Sequence, residues 1–210
     1  MEPFSILGRG RAGRALAEAW EGRVPLLPGR AEPSGWVLLA VPDGALPDLA
    51  ERFAGRCAHL SGCLHLPGVP CLHPLTSFSG RSADWRGTPL AVTGTAPGFF
   101  LQAFTRIGFL PFSLPAERKA LYHAAAVLVS GHAATLWLGA ARLLAEAGIA
   151  LPGRGLEPLA QATLDNLLAH GREGRTGPFA RGDESTIARD AEALPPAWRE
   201  VFLRLGRMDV

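Results

Sequence analysis

The glycine-rich stretch Gly8-Arg9-Gly10-Arg11-Ala12-Gly13 carries the clearest chemical signal in the sequence. It follows a short apolar run and precedes a stretch typical of a helix, the context in which a G-x-G-x-x-G motif predicts dinucleotide binding. The first glycine permits a tight turn, the second lets the backbone approach a pyrophosphate, and the third lets helix and strand pack closely. Backbone N–H groups at the start of the helix would hold the phosphates. All six residues are therefore predicted to bind a cofactor.

Arg30 indicates which dinucleotide this would be. In NAD-binding sites the second strand usually ends in an acidic residue that binds the ribose 2′-hydroxyl. Here a short second strand at residues 23–27 is followed by Gly29 and Arg30. A guanidinium suits a 2′-phosphate, so the sequence favours NADP (NADPH) over NAD, and Arg9 and Arg11 could add to the same positive charge. The alternative is that these three arginines are solvated surface residues.

The carboxyl ends of two further predicted strands should also face the cofactor, since ligands bind at that edge of such sheets. Ala40, Val41 and Pro42 end the apolar run 36–41 and are predicted cofactor-binding residues. Ser61 ends the strand predicted at residues 57–60 and could contact the nicotinamide or the substrate. A plain turn at Ser61 is the alternative.

Two histidines are the leading catalytic candidates. His73 stands at the carboxyl end of a predicted strand, and a histidine with a pKa near neutrality could exchange the proton that accompanies hydride transfer. His123 lies near the start of a long apolar helix and shares a helix face with Lys119, four residues earlier. The alternatives are a structural histidine that caps the strand end and a buried histidine with one hydrogen bond.

The Gly/Pro-rich loop at residues 171–182 and the start of the helix after it supply two candidate substrate-binding residues, Arg181 and Asp183. Arg181 could bind a substrate carboxylate through a bidentate fork, and its alternative is a salt bridge to a neighbouring acid. Asp183 is also a good N-cap for the following helix, with Thr186 three residues later.

A repeated Cys-x-His pattern raises the question of a metal. Thiolate and imidazole are zinc ligands, and the pattern occurs at Cys57, Cys63 and Cys71, each followed two residues later by a histidine. Structural zinc sites more often use C-x2-C spacing, and these pairs fall on two predicted strands and the loop between them. We therefore predict no metal site, and the metal content of purified protein would decide the question.

The elements that must position these residues change character along the chain. Apolar runs alternate with helical stretches over residues 1–113, which predicts an α/β fold, an N-terminal Rossmann domain with a doubly wound parallel sheet. From residue 116 to 147 the sequence has no proline and reads as one nearly all-apolar helix. Further helices are predicted at 156–168, 183–193 and 196–205. Residues 114–210 are therefore predicted to form an all-α C-terminal dimerisation domain opened by one long helix.

The long helix would measure about 45 Å at 1.5 Å per residue. Such a run could be mistaken for a membrane span, but polar residues such as Tyr122, His123 and Ser130 fall inside it. We expect a buried helix, part of which packs against a second copy of the chain in a homodimer.

The amino-acid composition limits the classes of partner that the chain is expected to bind. With 48% apolar residues and 19% charged residues the chain is typical of globular proteins, and its net charge of +2 is too small to argue for nucleic acid. Three cysteines suggest a reducing compartment, and the N-terminus lacks the basic region of a signal peptide. We expect a cytoplasmic protein with a small-molecule substrate and with neither nucleic acid nor membrane as a partner.

Six motifs together resemble a known family. They are residues 8–13, Leu39-Ala-Val-Pro-Asp43, His59-Leu-Ser-Gly62, Leu72-His-Pro-Leu75 with Phe78, Leu121-Tyr-His-Ala-Ala-Ala126 and Thr176-Gly-Pro-Phe-Ala-Arg-Gly-Asp183. With these motifs the chain resembles bacterial Rossmann-like proteins with a C-terminal helical domain of unknown function, in the 6-phosphogluconate dehydrogenase-like superfamily. Pyrroline-5-carboxylate reductase and prephenate dehydrogenase are relatives, and the His-Pro pair at His73 is similar to one that binds substrate in prephenate dehydrogenases.

The resemblance implies an NADP-dependent oxidoreductase-like fold and a dimer with a 6-phosphogluconate dehydrogenase C-terminal-like domain. There are departures: the Lys and Asn that 3-hydroxyacid dehydrogenases of the superfamily carry on this helix correspond to Val127 and Gly131 here. These departures argue against a lysine-assisted hydroxyacid mechanism. From the fold and the cofactor motif we expect an NADP(H)-dependent oxidoreductase acting on a small carbonyl, imine or hydroxy compound. The alternative is an NADP-binding sensor or regulatory protein without catalysis.

Overall fold

Seven strands form one sheet in the first part of the chain. The computed structural model describes residues 3–209 and divides the chain into two compact units, Met1–Thr135 and Leu136–Val210. The sheet has the strand order β2-β1-β3-β4-β5-β6-β7. Its strands are β1 (Phe4–Leu7), β2 (Leu26–Leu27), β3 (Trp36–Leu39), β4 (Cys57–His59), β5 (Cys71–Pro74), β6 (Thr88–Thr93) and β7 (Phe109–Ser113).

The strand order creates a crevice beyond β1 and β3. Strand β1 pairs in parallel with β2 on one side and with β3 on the other. The chain therefore leaves β1 and β3 in opposite directions, and open α/β sheets bind ligands outside the carboxyl ends of strands at such a point. The Rossmann-like architecture predicted from the sequence is confirmed.

One pairing corrects the prediction of an all-parallel sheet. Strand β5 runs antiparallel to β6, with Cys71 opposite Thr93 and Pro74 opposite Leu90. Parallel neighbours need a crossover connection, usually a helix, whereas antiparallel neighbours do not. Residues 75–87, which connect β5 to β6, contain no helix, so the chain returns in the opposite direction. The sheet is mixed and mostly parallel.

Helices cover both faces of this sheet. They are α1 (Arg11–Ala19), α2 (Leu46–Arg52) and α3 (Gly98–Arg106). Alternate residues of β3 enter different apolar clusters: Leu38 packs with residues of α1 and α3, whereas Val37 and Leu39 pack with residues of α2. Strands buried on both faces explain why the sequence shows continuous apolar runs rather than alternation.

The long helix extends over Ala116–Glu146. It begins with a 3₁₀ turn at Ala116–Arg118 and continues as α4 (Lys119–Val127), a π-helical segment (Leu128–His132) and α5 (Ala133–Glu146). The π-helical segment was not predicted. There the Ser130 hydroxyl donates to the Ala126 carbonyl at 2.7 Å, and Gly131 has weak helix propensity, so the α-helical ladder is held less tightly.

The sequence predicts that this helix is buried, but in the single chain it is not. By length and composition it could cross a membrane, which is weak evidence on its own, and none of its most apolar window is buried. Leu121, Leu128 and Val129 are among its exposed side chains. The long helix therefore presents an exposed apolar surface in the single chain.

The second unit is helical. Besides most of α5 it contains α6 (Glu157–His170), α7 (Pro178–Arg181), α8 (Glu184–Ala193) and α9 (Pro196–Gly206). Close packing fixes the elements: a Cβ at Gly139 would collide with the ring of Trp198, and one at Gly206 with the ring of Phe179. The domain boundary predicted between residues 113 and 114 stays a prediction.

Candidate functional site

The loop between β1 and α1 has the geometry that its three glycines predict. Gly8 has a φ of +118°, and a Cβ there would collide with the carbonyl of Ala40 at the end of β3. A Cβ at Gly13 would collide with the carbonyl of Gly8, so the helix packs directly on the loop. Gly10 has no atom within 4 Å of the place its Cβ would take. The loop is therefore closed towards the protein and open at Gly10.

The start of α1 can receive an anion. Gly10 is the N-cap residue, the first turn contains no acidic residue, and within the described residues no side chain caps this end. Free N–H groups at a helix N-terminus, together with the helix dipole, favour phosphate. The backbone present thus fits the pyrophosphate of a dinucleotide.

A cavity of about 380 Å³ adjoins this loop. We call it the loop cavity. It extends to the turn after β4 and to the end of β5, at Ser61, Gly62 and His73. Six of the predicted cofactor-binding residues line it: Gly10, Arg11, Ala12, Ala40, Val41 and Pro42.

A second cavity, of about 760 Å³, lies beside the first; we call it the helix cavity. Its wall from the long helix is apolar at Ala125, Ala126 and Val127, and it carries polar groups at Tyr122 and His123. The two cavities share Arg11, Ala12, His73, Thr76 and Phe78. A molecule in either cavity would therefore contact the same histidine.

His73 is held by aromatic neighbours from α4. Its Nδ1 lies 3.0 Å from the Tyr122 hydroxyl, and the two rings meet edge-on. The ring of His123 is centred 6.0 Å away. Burial, with the positive charges of His123 and Lys119, lowers the pKa of His73 to about 4, while Asp43 opposes this shift. The sequence-based expectation of a pKa near neutrality is corrected, because burial removes the imidazolium from water.

Tyr122 is the residue that sequence reasoning noticed without giving it a role. Burial, with a smaller contribution from Cys71, raises the pKa of its phenol to about 12. The hydroxyl therefore keeps its proton at neutral pH and can donate it in a hydrogen bond. The signal for Tyr122 was its place directly before His123 in the long helix, but its contact with His73 depends on how β5 meets α4.

Gly62 brings the two histidines together. A Cβ at this position would lie 2.7 Å from Nε2 of His73 and would collide with the ring of His123. The backbone of the turn therefore packs directly against both imidazoles, and only glycine fits. The structure brings the predicted residues Ser61, His73 and His123 into one neighbourhood, and their catalytic roles stay predictions.

The Ser61 side chain is already engaged. Its hydroxyl donates to the Asp43 carboxylate at 2.9 Å and accepts from the Leu64 N–H at 2.9 Å. The Ser61 N–H donates to Nδ1 of His59 at 3.2 Å. His59 is fully buried, and its Nε2 is without a partner among the described residues. Ser61 thus organises the turn after β4 as well as lining the loop cavity.

The three Cys-x-His pairs do not form a metal centre among residues 3–209, where no three potential ligand side chains converge. Cys57 and Cys71 are buried thiols and Cys63 is exposed. Burial raises the pKa of Cys57 and of Cys71. Both thiols lie in the protein core, and the prediction of no metal site stays a prediction.

The predicted 2′-phosphate residue, Arg30, is exposed and follows β2, the neighbour of β1. Its backbone is held from α2: the Arg52 guanidinium donates to the carbonyls of Arg30 at 3.5 Å and Ala31 at 3.3 Å. Arg9 is exposed in the glycine loop. Neither lines the loop cavity, so their cofactor roles stay predictions.

In the second unit Asp183 caps α8. Its carboxylate accepts from the Thr186 N–H at 3.1 Å, from the Thr186 hydroxyl at 2.7 Å and from the Ser185 hydroxyl at 2.9 Å. These hydrogen bonds lower the pKa of Asp183. Arg181 ends α7 and is exposed. The substrate roles predicted for both residues remain predictions.

Residues 88–208 of the chain match the family described as Domain of unknown function (DUF2520). The chain belongs to this family. The family resemblance predicted from the motifs is confirmed, and the DUF2520 chain has structural neighbours in the NADP-binding Rossmann and 6-phosphogluconate dehydrogenase-like superfamily. Among curated proteins no sequence matches the chain.

Three solved structures illustrate the shared fold. A proposed NADP oxidoreductase from Bacteroides fragilis superposes with a TM-score of 0.81 at 19% identity, covering 98% of this chain and 96% of that one. A reductive aminase from Aspergillus terreus, solved with NADPH and ethyl levulinate, gives 0.64 at 14% identity, with 98% and 91% covered. Prephenate dehydrogenase from A. aeolicus, solved with hydroxyphenyl propionate and NAD⁺, gives 0.52 at 13% identity, with 100% and 99% covered. At these identities the likeness shows the fold alone.

The buried histidines predict a pH dependence of stability. Burial lowers the pKa of both His59 and His73 from 6.5 to about 4. Below pH 6.5 these two imidazoles bind protons in the unfolded chain but stay neutral in the folded chain. The free energy of unfolding is therefore fully retained above pH 6.5 and falls towards pH 4, by about 1.4 kcal/mol per pH unit for each neutral histidine.

Histidine ¹H–¹⁵N NMR of the full chain checks this directly, with His73→Asn used to assign the His73 signal. We expect the His59 and His73 rings to stay neutral at pH 5.5. A His73 midpoint near 6.5 would contradict the buried site described above.

Proposed function

We propose that this DUF2520 protein is an NADP(H)-dependent oxidoreductase that acts on a small carbonyl, imine or hydroxy compound. The observation that carries the proposal is the shared wall of the two cavities, where His73 faces both. The cofactor would occupy the loop cavity and the substrate the helix cavity. The folds of NADPH-binding neighbours such as the A. terreus reductive aminase support this reading, while the NAD⁺ complex of prephenate dehydrogenase shows that the fold also takes NAD.

The chain's own backbone would hold the dinucleotide. The N–H groups of residues 8–13 would bind the pyrophosphate, and the open space at Gly10 would allow its close approach. Arg30, with Arg9 and Arg11, would bind the 2′-phosphate and so prefer NADP over NAD. A bound nicotinamide would supply or accept a hydride, and Ala40, Val41 and Pro42 would orient it.

Tyr122 and His73 would transfer the proton that the reaction consumes. Reduction of a carbonyl or imine consumes one hydride and one proton. The Tyr122 phenol, which keeps its proton at neutral pH, would donate it to the substrate oxygen or nitrogen, and solvent would reprotonate the phenolate through His73. His123, on the same helix, would hold the substrate atom that receives the proton.

A second candidate function is an NADP-binding sensor or regulatory protein without catalysis. It is favoured by Val127, which lines the helix cavity at the position where 3-hydroxyacid dehydrogenases of the superfamily carry a lysine. Gly131, at the position of their asparagine, lies in the π-helical segment. A site without these groups binds ligands but lacks the lysine-assisted hydroxyacid chemistry.

Turnover distinguishes the two functions. We expect NADPH oxidation with at least one member of a panel of ketones, keto acids and cyclic imines. Tyr122→Phe should lower kcat about 100-fold with little change in the Kd for NADPH, because it removes only the proton donor.

Leu121→Ala, an exposed neighbour on the same helix, is the matched control and should leave kcat unchanged. Tight NADPH binding with no turnover across the panel, together with a His73→Ala variant that changes only stability, would establish the sensor instead.

Arg30 predicts cofactor selectivity. Arg30→Ala should weaken NADPH binding about tenfold and leave NADH binding unchanged, since the guanidinium contacts only the 2′-phosphate. Arg23→Ala, an exposed arginine just before the second strand, is the control. Equal losses for NADPH and NADH, or none, would show that Arg30 does not read the phosphate; titration calorimetry measures both.

We also propose that the protein is a homodimer formed through its helical part. The apolar long helix leaves Val129 81% exposed and Leu138 70% exposed, and a second copy is the occupant that would cover them. Sedimentation should give twice the 22.2 kDa of one chain, and Leu138→Glu should give a monomer. A control, Glu146→Gln, should stay dimeric. A wild-type monomer at all concentrations would rule out this interface.

A further inference from the structure

Lys119 is a buried cation that the mechanism above does not use. It is the single lysine of the chain, and only 1% of its surface is exposed. Its Nζ donates to the Ser61 carbonyl at 2.9 Å and to Cys71 Sγ at 2.9 Å. Within residues 3–209 no carboxylate forms an ion pair with it. Burying an ammonium group without a counter-ion is unfavourable, so its retention here needs a reason.

The ammonium group of Lys119 holds the turn after β4 in place. The Ser61 carbonyl accepts from Lys119 Nζ and also from the Cys71 thiol, at 3.0 Å. The ammonium therefore joins the turn to β5 as well as to α4. The next residue, Gly62, is the one whose backbone packs against His73 and His123. Any shift of this carbonyl moves the wall on which both imidazoles rest.

Lys119 also begins α4, the helix that carries the other two groups of the site. Tyr122 and His123 follow it by three and four residues, so all three lie on neighbouring positions of one helix face. The same side chain thus connects the start of this helix to the turn that lines the loop cavity. No other charged side chain in the described region is buried to this degree.

We propose that Lys119 is a positioning residue: its buried ammonium fixes the Ser61–Gly62 turn against α4 and so sets the arrangement of His73, Tyr122 and His123. This inference rests on the proposed function only for its effect on turnover. The geometric part concerns the site whether it catalyses or only binds.

The charge of Lys119 acts on the same groups. Burial contributes most to the lowered pKa of His73, and the positive charges of His123 and Lys119 lower it further. Asp43, from the turn after β3, acts in the opposite direction, and the Tyr122 hydroxyl faces His73 from α4. Burial raises the pKa of the Cys71 thiol, against the lowering effect of Lys119. Removal of the cation should therefore ease protonation of His73.

The test is Lys119→Met in the full chain, with Arg118→Met as control. Methionine keeps the length of the side chain without its charge, and Arg118 is the exposed preceding residue. We expect the His73 NMR midpoint to rise by at least about half a pH unit and kcat to fall about tenfold in Lys119→Met only. A folded Lys119→Met variant with an unchanged His73 midpoint and unchanged kcat would overturn the proposal.

A wild-type measurement keeps the proposal testable if the variant does not fold. Because the chain has one lysine, ¹³Cε-lysine labelling gives a single side-chain signal. We expect this signal to shift when NADPH binds and Lys119 to resist an amine-reactive ester. An unchanged signal and rapid modification of Lys119 would contradict the buried positioning role. Neither readout needs turnover, so failure of the enzyme function and failure of this inference are distinguishable.

Discussion

The backbone at Gly62 runs so close to the rings of His73 and His123 that no Cβ fits there. The candidate site depends on this contact, because it seats a strand-end histidine and a helix histidine against one turn. This turn is fixed by two hydrogen bonds, which the Ser61 carbonyl accepts from Lys119 and Cys71. A second contact of the same kind packs Gly8 against the carbonyl of Ala40, and Ala40 lines the loop cavity.

Burial decides how the site can handle protons. An imidazole that is shielded from water and lies within the electrostatic influence of Lys119 resists protonation, so His73 is neutral at neutral pH. The same shielding keeps the Tyr122 phenol protonated. In the contact between the two residues, the environment therefore favours Tyr122 as hydrogen-bond donor and His73 as acceptor.

The cofactor half of the site could be predicted from sequence because its signal is local. A glycine motif between a strand and a helix determines its own geometry, and the positive φ at Gly8 and the close packing at Gly13 follow from the motif. The strands were recognisable as continuous apolar runs, since the sheet is covered on both faces. The antiparallel β5–β6 pair and the π-helical segment were missed. The connection at residues 75–87, which has no helix, was not recognised as a reversal of direction, and the Ser130 hydrogen bond to the Ala126 carbonyl has no signature in an apolar run.

The histidine and tyrosine part of the site is formed by residues that are distant in sequence. The sequence therefore indicated these residues but not the contacts between them. His73 and Tyr122 are far apart in the chain and meet only in the fold. Lysine is rarely buried, so nothing in the pattern marked Lys119 as a core residue. Its partner Cys71 was noted only as part of a repeated Cys-x-His pattern, for which no metal site was predicted.

The decisive experiment is a crystal structure of the protein soaked with NADP⁺. We predict pyrophosphate density against the N–H groups of residues 8–13 and the nicotinamide ring beside His73, at the wall between the two cavities. Phosphate density that avoids residues 8–13, or a nicotinamide that does not reach His73, would contradict it.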